Sequence, residues 1–176
     1  MTNSLSITGG TQRQRDLAIQ VACFCISELM PRVRTLDIQI NLTKMIFEKD
    51  CFAECTPIDD GLGAATRVFR INIDHRIYKP FSKDPSGFPV EAGYQMFVQA
   101  LCHEMVHVMQ WVKGLLKDRV YPKKLGYRVL WKGKSYKDVS YSKRPWERQA
   151  HGMERKLFNK FEENKQVVGH YLNEEF

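Results

Sequence analysis

The sequence has no apolar run approaching the roughly 20 residues that a bilayer-spanning helix requires, so no membrane segment is expected. Met1 to Gln20 has no apolar stretch ending in a small-residue cleavage site, which makes a cytoplasmic protein the expectation. Cysteine is scarce. There are five, an odd count, and the close pair Cys51 and Cys55 lacks a second Cys or His pair at zinc-finger spacing. A disulfide framework is thereby disfavoured, and reduced structural thiols are expected. Cys23, Cys25 and Cys102 fall within apolar helical patterns, as small core residues do. Internal repeats and low-complexity tracts are also missing, which argues against solenoids and disordered linkers. What remains is a 176-residue chain with 43% hydrophobic residues, enough to bury a core without staples. One domain over residues 1–176 is expected, with 1–10 and 162–176 as flexible ends.

Charge is abundant and uneven. The formal net charge is +7. Between Lys113 and Arg144 stand eleven basic residues against only Asp118 and Asp138. Such a stripe can steer nucleic acid or an acidic substrate, and it is equally the composition of a solvated hairpin surface.

Local patterns imply an α+β fold. Thr11 to Met30 carries Leu17, Val21, Phe24 and Leu29 on one side and is stopped by Pro31, which reads as an N-terminal helix. Leu36, Ile38, Ile40 and Leu42 alternate with polar residues, and so do Phe69, Ile71 and Ile73 within Arg67 to Asp74. Both read as half-buried strands. Ile46 to Cys55 is a further strand candidate. Asp59 to Gly63 reads as a turn, and Pro80, Pro85, Gly87 and Pro89 mark a loop. A long helix is expected from Val90 to Leu116, then a small hairpin or irregular strands formed by Tyr127–Trp131 and Ser135–Val139, with Lys132-Gly133-Lys134 between them. Pro145 opens a last helix, Trp146 to Phe161, with Ala150, Met153, Leu157 and Phe161 as its apolar positions.

The most informative residues lie in the long helix. His103-Glu104-Met105-Val106-His107 is an H-E-x-x-H motif. A shuffled chain of this composition would contain it roughly once in a hundred, so it is specific. Residues four apart on a helix point the same way, so His103 and His107 can grip one metal ion. Glu104 sits one step round, placed to act as base on a water at that metal. Phe97, Leu101, Met105, Val108 and Val112 lie largely opposite the histidines, so one face is fixed in the core and the other meets a cleft.

A catalytic zinc takes a third protein ligand and keeps one open position. Glu147, in Pro145-Trp146-Glu147-Arg148-Gln149-Ala150, is the best candidate, in the first turn of a helix able to pack beside the motif helix. Acidic residues there also complement a helix N-terminus. His151 and Glu154 are rivals, and His151 can alternatively support a ligating histidine. Tyr141 is the candidate for stabilising an oxyanion, with Tyr136 and Tyr121 as alternatives.

Cys102 to Gln110, Val129-Leu130-Trp131-Lys132-Gly133-Lys134, Tyr141 and Pro145 to Ala150 together resemble a group of small zincin-like metallopeptidases of bacteriophages and bacteria. More remotely the scheme is similar to the ImmA/IrrE peptidases, in which a Glu in an E-x-x-A setting completes the site, and to the SprT-like proteases. The resemblance covers roughly Arg67 to Leu157. It implies a zincin-like fold: an N-terminal helix, a small twisted sheet with an edge strand, the motif helix, and a C-terminal helix carrying the third ligand. It also implies Zn2+ as cofactor and a protein or peptide substrate, in host cytoplasm or a phage particle. In zincins the substrate lies along the edge strand, for which Arg67 to Asp74 is the natural candidate. Relatives often carry Pro-Trp-Glu-x-Glu-Ala where this chain has Gln149, which leaves Glu147 as the acidic candidate there. Two other readings stand beside the peptidase: a metal-containing binding protein without catalysis, and a nucleic-acid-associated protease of SprT-like type using residues 113–144.

Overall fold

The chain is seen in a computed structural model that describes residues 3–44, 52–58, 66–78, 90–121 and 126–173. It is an α+β structure in which three helices accompany a four-stranded mixed sheet and a three-stranded ribbon. Strand β1, Ser4–Gly9, replaces the fraying start expected from its polarity. Only Leu5 and Ile7 are apolar there, too few to register as a period-two pattern, yet they pair in parallel with Ile38 and Ile40 of β2, Asp37–Thr43. Gly9 makes the exit from β1 at φ 73, where a Cβ would stand 2.1 Å from the Leu42 carbonyl oxygen. Only glycine fits that approach.

Helix α1, Gln12–Leu29, begins with a reciprocal cap: the Thr11 hydroxyl accepts from the Gln14 amide, and the Gln14 side chain accepts from the Thr11 amide. Its inward residues Leu17, Val21 and Cys25 are buried as expected, whereas Cys23 is exposed. Strands β3, Ala53–Pro57, and β4, Val68–Asp74, complete the sheet in the order β1-β2-β4-β3. β4 is parallel to β2, and β3 is antiparallel to β4. The Arg67 to Asp74 strand is therefore interior, and the expectation that it forms the edge is wrong. Alternation reveals a buried face but not a neighbour, and β3 returns along the far side of β4. Phe69, Ile71 and Ile73 join Ile38 and Ile40 in a fully buried row, to which each contributes about 1.5–3 kcal/mol. Of the strand expected over Ile46 to Cys55, Ala53–Cys55 falls in β3; residues 46–51, the Asp59–Gly63 turn and the Pro80–Pro89 loop lie outside the described residues.

Helix α2, Val90–Val112, packs Phe97, Leu101, Met105 and Val108 into this core. It stops short of the expected Leu116 because Gly114 takes φ 65. The Gly114 amide then donates to the Trp111 carbonyl and the Leu115 amide to the Gln110 carbonyl. The chain leaves as β5, Leu116–Tyr121, a strand that the sequence pattern does not announce. β6, Gly126–Trp131, and β7, Lys134–Tyr136, turn through Lys132 and Gly133, both at positive φ, as a tight hairpin requires. Leu116, Trp131 and Trp146 form a second apolar cluster that fastens this ribbon to the ends of α2 and α3.

Helix α3, Pro145–Asn173, packs along α2 and runs well beyond Phe161, so residues 162–173 are helical rather than a loose end. Glu162, Glu163, Lys165 and Gln166 are good helix formers that carry the turn past Phe161, and the Tyr94 hydroxyl of α2 bonds the Glu162 carboxylate. No helix among the described residues is long and apolar enough to cross a membrane.

Candidate metal centre

One helical turn on α2 sets His103 and His107 side by side, with ring centroids 4.8 Å apart. Pro145 starts α3 against that face, and the first turn delivers Glu147 to the same point. Glu147 Oε2 lies 3.3 Å from His103 Nε2 and 3.4 Å from His107 Nε2, while the two Nε2 atoms are 3.1 Å apart. All three side chains are buried. The three expected ligands thus meet.

Neighbouring hydrogen bonds decide which nitrogen carries hydrogen. Gln110, fully buried on α2, donates its amide Nε2 to the Trp146 carbonyl and to Gln149 Oε1, each at 3.0 Å. Its Oε1 must then be the atom that faces His107 Nδ1 at 2.8 Å, so Nδ1 is the donor. Glu154 Oε2 faces His103 Nδ1 at 2.7 Å, and a carboxylate accepts. With both Nδ1 atoms protonated, the neutral rings aim two Nε2 lone pairs at each other and at a carboxylate oxygen. Three acceptors converge with no donor between them, an arrangement that calls for a cation. The separations fit one. A tetrahedral ion with bonds of about 2.0–2.1 Å has ligand atoms about 3.3–3.4 Å apart.

Protons fill the same need when the ion is absent. Burial works against a charged His103, but its hydrogen bonds to Glu147 and Glu154 win and raise it to about 9. His107 is opposed by burial and raised by Glu147 and Glu104. Burial also resists ionisation of Glu147, yet the two histidines, with a hydrogen bond from Tyr141, hold it well below the usual carboxylate range.

Glu154 and His151 were rivals for the third ligand. Glu154 instead orients His103, and its carboxylate is lowered by that contact against the opposing effect of burial. His103, Glu147 and His151 do form a second grouping, with ligand atoms within 4.8 Å of one another. It is looser than a tetrahedral edge. The His151 side chain is 53% exposed, and its Nδ1 is already 3.3 Å from Glu154 Oε2. The triangle through His107 is therefore the better cation site.

These residues floor a cleft of about 530 Å³, bounded by Glu54 and Cys55 of β3, Trp111, Trp146 and Tyr136. Glu104 opens into it. Only 5% exposed, its carboxylate makes no hydrogen bond among the described residues. Burial pushes it up to about 7; His107 and His103 pull it down, and Glu147 and Glu54 push it up. Tyr141, on a short 3-10 turn, is 52% exposed, bonds Glu147 and stands 3.5 Å from His151 Nε2. Tyr136 packs edge-on against Trp146 as part of the wall. The Tyr121 side chain lies outside the described residues. Gln110 was missed by the sequence reading, although its position three residues after His107 on one helix face was a usable signal. The β3 residues carried no such signal, since only the sheet order brings them to the site.

Compared with models of known protein families, with curated proteins and with solved structures, the chain matches none.

Proposed function

We propose that the chain is a zinc-dependent peptidase of zincin type, with His103, His107 and Glu147 as ligands and Glu104 as general base. The carrying observation is the convergence of three lone pairs beside a buried carboxylate that has no hydrogen-bond partner among the described residues. Two imidazoles and one carboxylate form a donor set well suited to zinc, and the cleft leaves a side of the triangle open. A zinc ion held there supplies Lewis acidity to a peptide carbonyl and acidifies water toward a pKa of about 7. Glu104 takes the proton of the attacking water and later hands it to the leaving amine. The Tyr141 hydroxyl, at the lip of the cleft, donates to the developing oxyanion.

The outer strand supplies a track for substrate. Phe52 and Ile58 each bond across to β4 through their main chains, so by alternation Cys55 and Pro57 turn their backbone groups to the outer side. An extended peptide can add there beside the metal centre, on β3 rather than on the expected β4. A purely structural or non-catalytic metal centre has no use for Glu104, which opens into the cleft beside the three ligands; a proton-transfer role gives it one.

Cleavage of casein or a host lysate, with and without chelator, tests the reading. Glu104→Gln is expected to keep full zinc occupancy and lose about 10²–10⁴-fold in turnover. Undiminished hydrolysis by that variant removes Glu104 as the base.

A further inference from the structure

A row of polar side chains crosses the sheet on the face away from the helices and ends at the cleft. Thr8, Asn41, Asn72 and Glu54 stand in register on β1, β2, β4 and β3. The Thr8 hydroxyl lies 2.8 Å from Asn41 Oδ1, Asn41 Nδ2 donates to Asn72 Oδ1 at 3.0 Å, and Asn72 Nδ2 donates to Glu54 Oε1 at 2.7 Å. Every hydrogen bond in the row is directed toward Glu54. Hydrogen bonds aligned head to tail polarise one another, and a carboxylate at the accepting end is held in place. Surface amides on a sheet face need only water, so a one-way chain across four strands is a specific device.

Its end point is informative. Glu54 lines the metal-centre cleft, and among the described residues it forms no ion pair. Asp118, Asp138 and Arg144 are the other charged rim residues of that cleft, and Asp138 is paired with Lys137 at 3.9 Å, whereas the hydrogen bond to Glu54 comes from the neutral amide of Asn72. Strand geometry adds direction. With Cys55 turning its main chain outward, a segment added antiparallel to β3 meets Glu54 at a non-hydrogen-bonded position, where facing side chains approach most closely.

We propose that Glu54 is a specificity-determining residue that selects a lysine or arginine side chain in an extended peptide lying along β3. This rests on the peptidase reading of the cleft, and binding and cleavage are therefore read separately. Binding is measured by fluorescence anisotropy at low salt on the zinc-loaded full chain carrying Glu104→Gln. The probes are labelled eight-residue peptides bearing lysine, glutamine or glutamate at alternate positions. The lysine peptide is expected to bind up to about fivefold more tightly than the glutamine peptide, the range of a cross-strand charge pair, and more tightly still than the glutamate peptide.

Adding Glu54→Gln erases the order, Glu54→Lys reverses it, and Asn72→Ala, which frees the carboxylate, weakens it. Glu54 is exposed, so these variants should keep the parent's melting temperature. Equal binding of the three peptides, binding of none, or an order unchanged in both Glu54 variants overturns the proposal. Charge-ordered binding without cleavage by the chain with Glu104 intact leaves the selectivity standing and removes the peptidase reading. Cleavage without charge preference does the reverse.

Discussion

Replacing Gln110 with alanine separates the metal centre from the packing around it. The side chain is fully buried and makes three hydrogen bonds, to His107 Nδ1, the Trp146 carbonyl and Gln149. At about 1 kcal/mol net for each, Gln110→Ala costs about 3 kcal/mol before any cavity is counted. In a chain of this size that lowers the melting temperature by about 6–12 °C, read by circular dichroism on metal-free protein. The same change leaves the His107 ring without its orienting acceptor, and loss of such a partner weakens metal binding about 10–100-fold. Competition against a chromophoric chelator reads that loss. Gln110→Glu divides the two effects: a carboxylate still accepts from His107 but cannot donate to Trp146 or Gln149. It is expected to keep zinc affinity within severalfold while the melt still drops. If Gln110→Ala melts early yet binds zinc within about twofold of the parent, the argument that Gln110 sets the His107 tautomer is refuted.

Glu147→Ala should abolish tight zinc binding, whereas His151→Ala should leave it within severalfold. The opposite pattern in metal analysis would assign the site to the looser triangle. In the metal-free chain His103 is raised from its ordinary 6.5 to about 9, so its proton stabilises the fold fully below 6.5, and that contribution is lost as pH climbs through 9. Glu104, raised from 4.5 to about 7, acts in the same sense: folding favours its neutral form, and the benefit fades as pH passes 7. Metal-free melting temperature should therefore fall between about pH 6.5 and 9, while zinc affinity, which requires release of the His103 proton, should rise. Parallel slopes in thermal melts and zinc titrations would contradict this.

The H-E-x-x-H spacing placed His103 and His107 on one face because helical geometry is local, and Pro145 followed by Glu147 pointed to a helix start for the same reason. The buried rows of β2 and β4 were legible from alternation alone. Gly114 showed where α2 could end, but its effect was missed because Leu115 and Leu116 extend the apolar pattern across it. β1 escaped notice because a mostly polar strand becomes one only when a neighbour accepts its hydrogen bonds.

By itself the amino-acid order determined which side chains could share a helix face and which strand faces would be apolar, since periods of 3.6 and 2 are properties of the backbone. It also singled out Glu147 as the best candidate for a third ligand. Only the tertiary structure decided that Glu147 rather than Glu154 or His151 completes the tighter triangle, and that β3 rather than β4 borders the cleft. It alone brought Gln110 against Trp146 and Asn72 against Glu54. Those pairings join segments 18 to 51 residues apart, and contacts at such separations follow from how helices and strands pack, which no local repeat encodes.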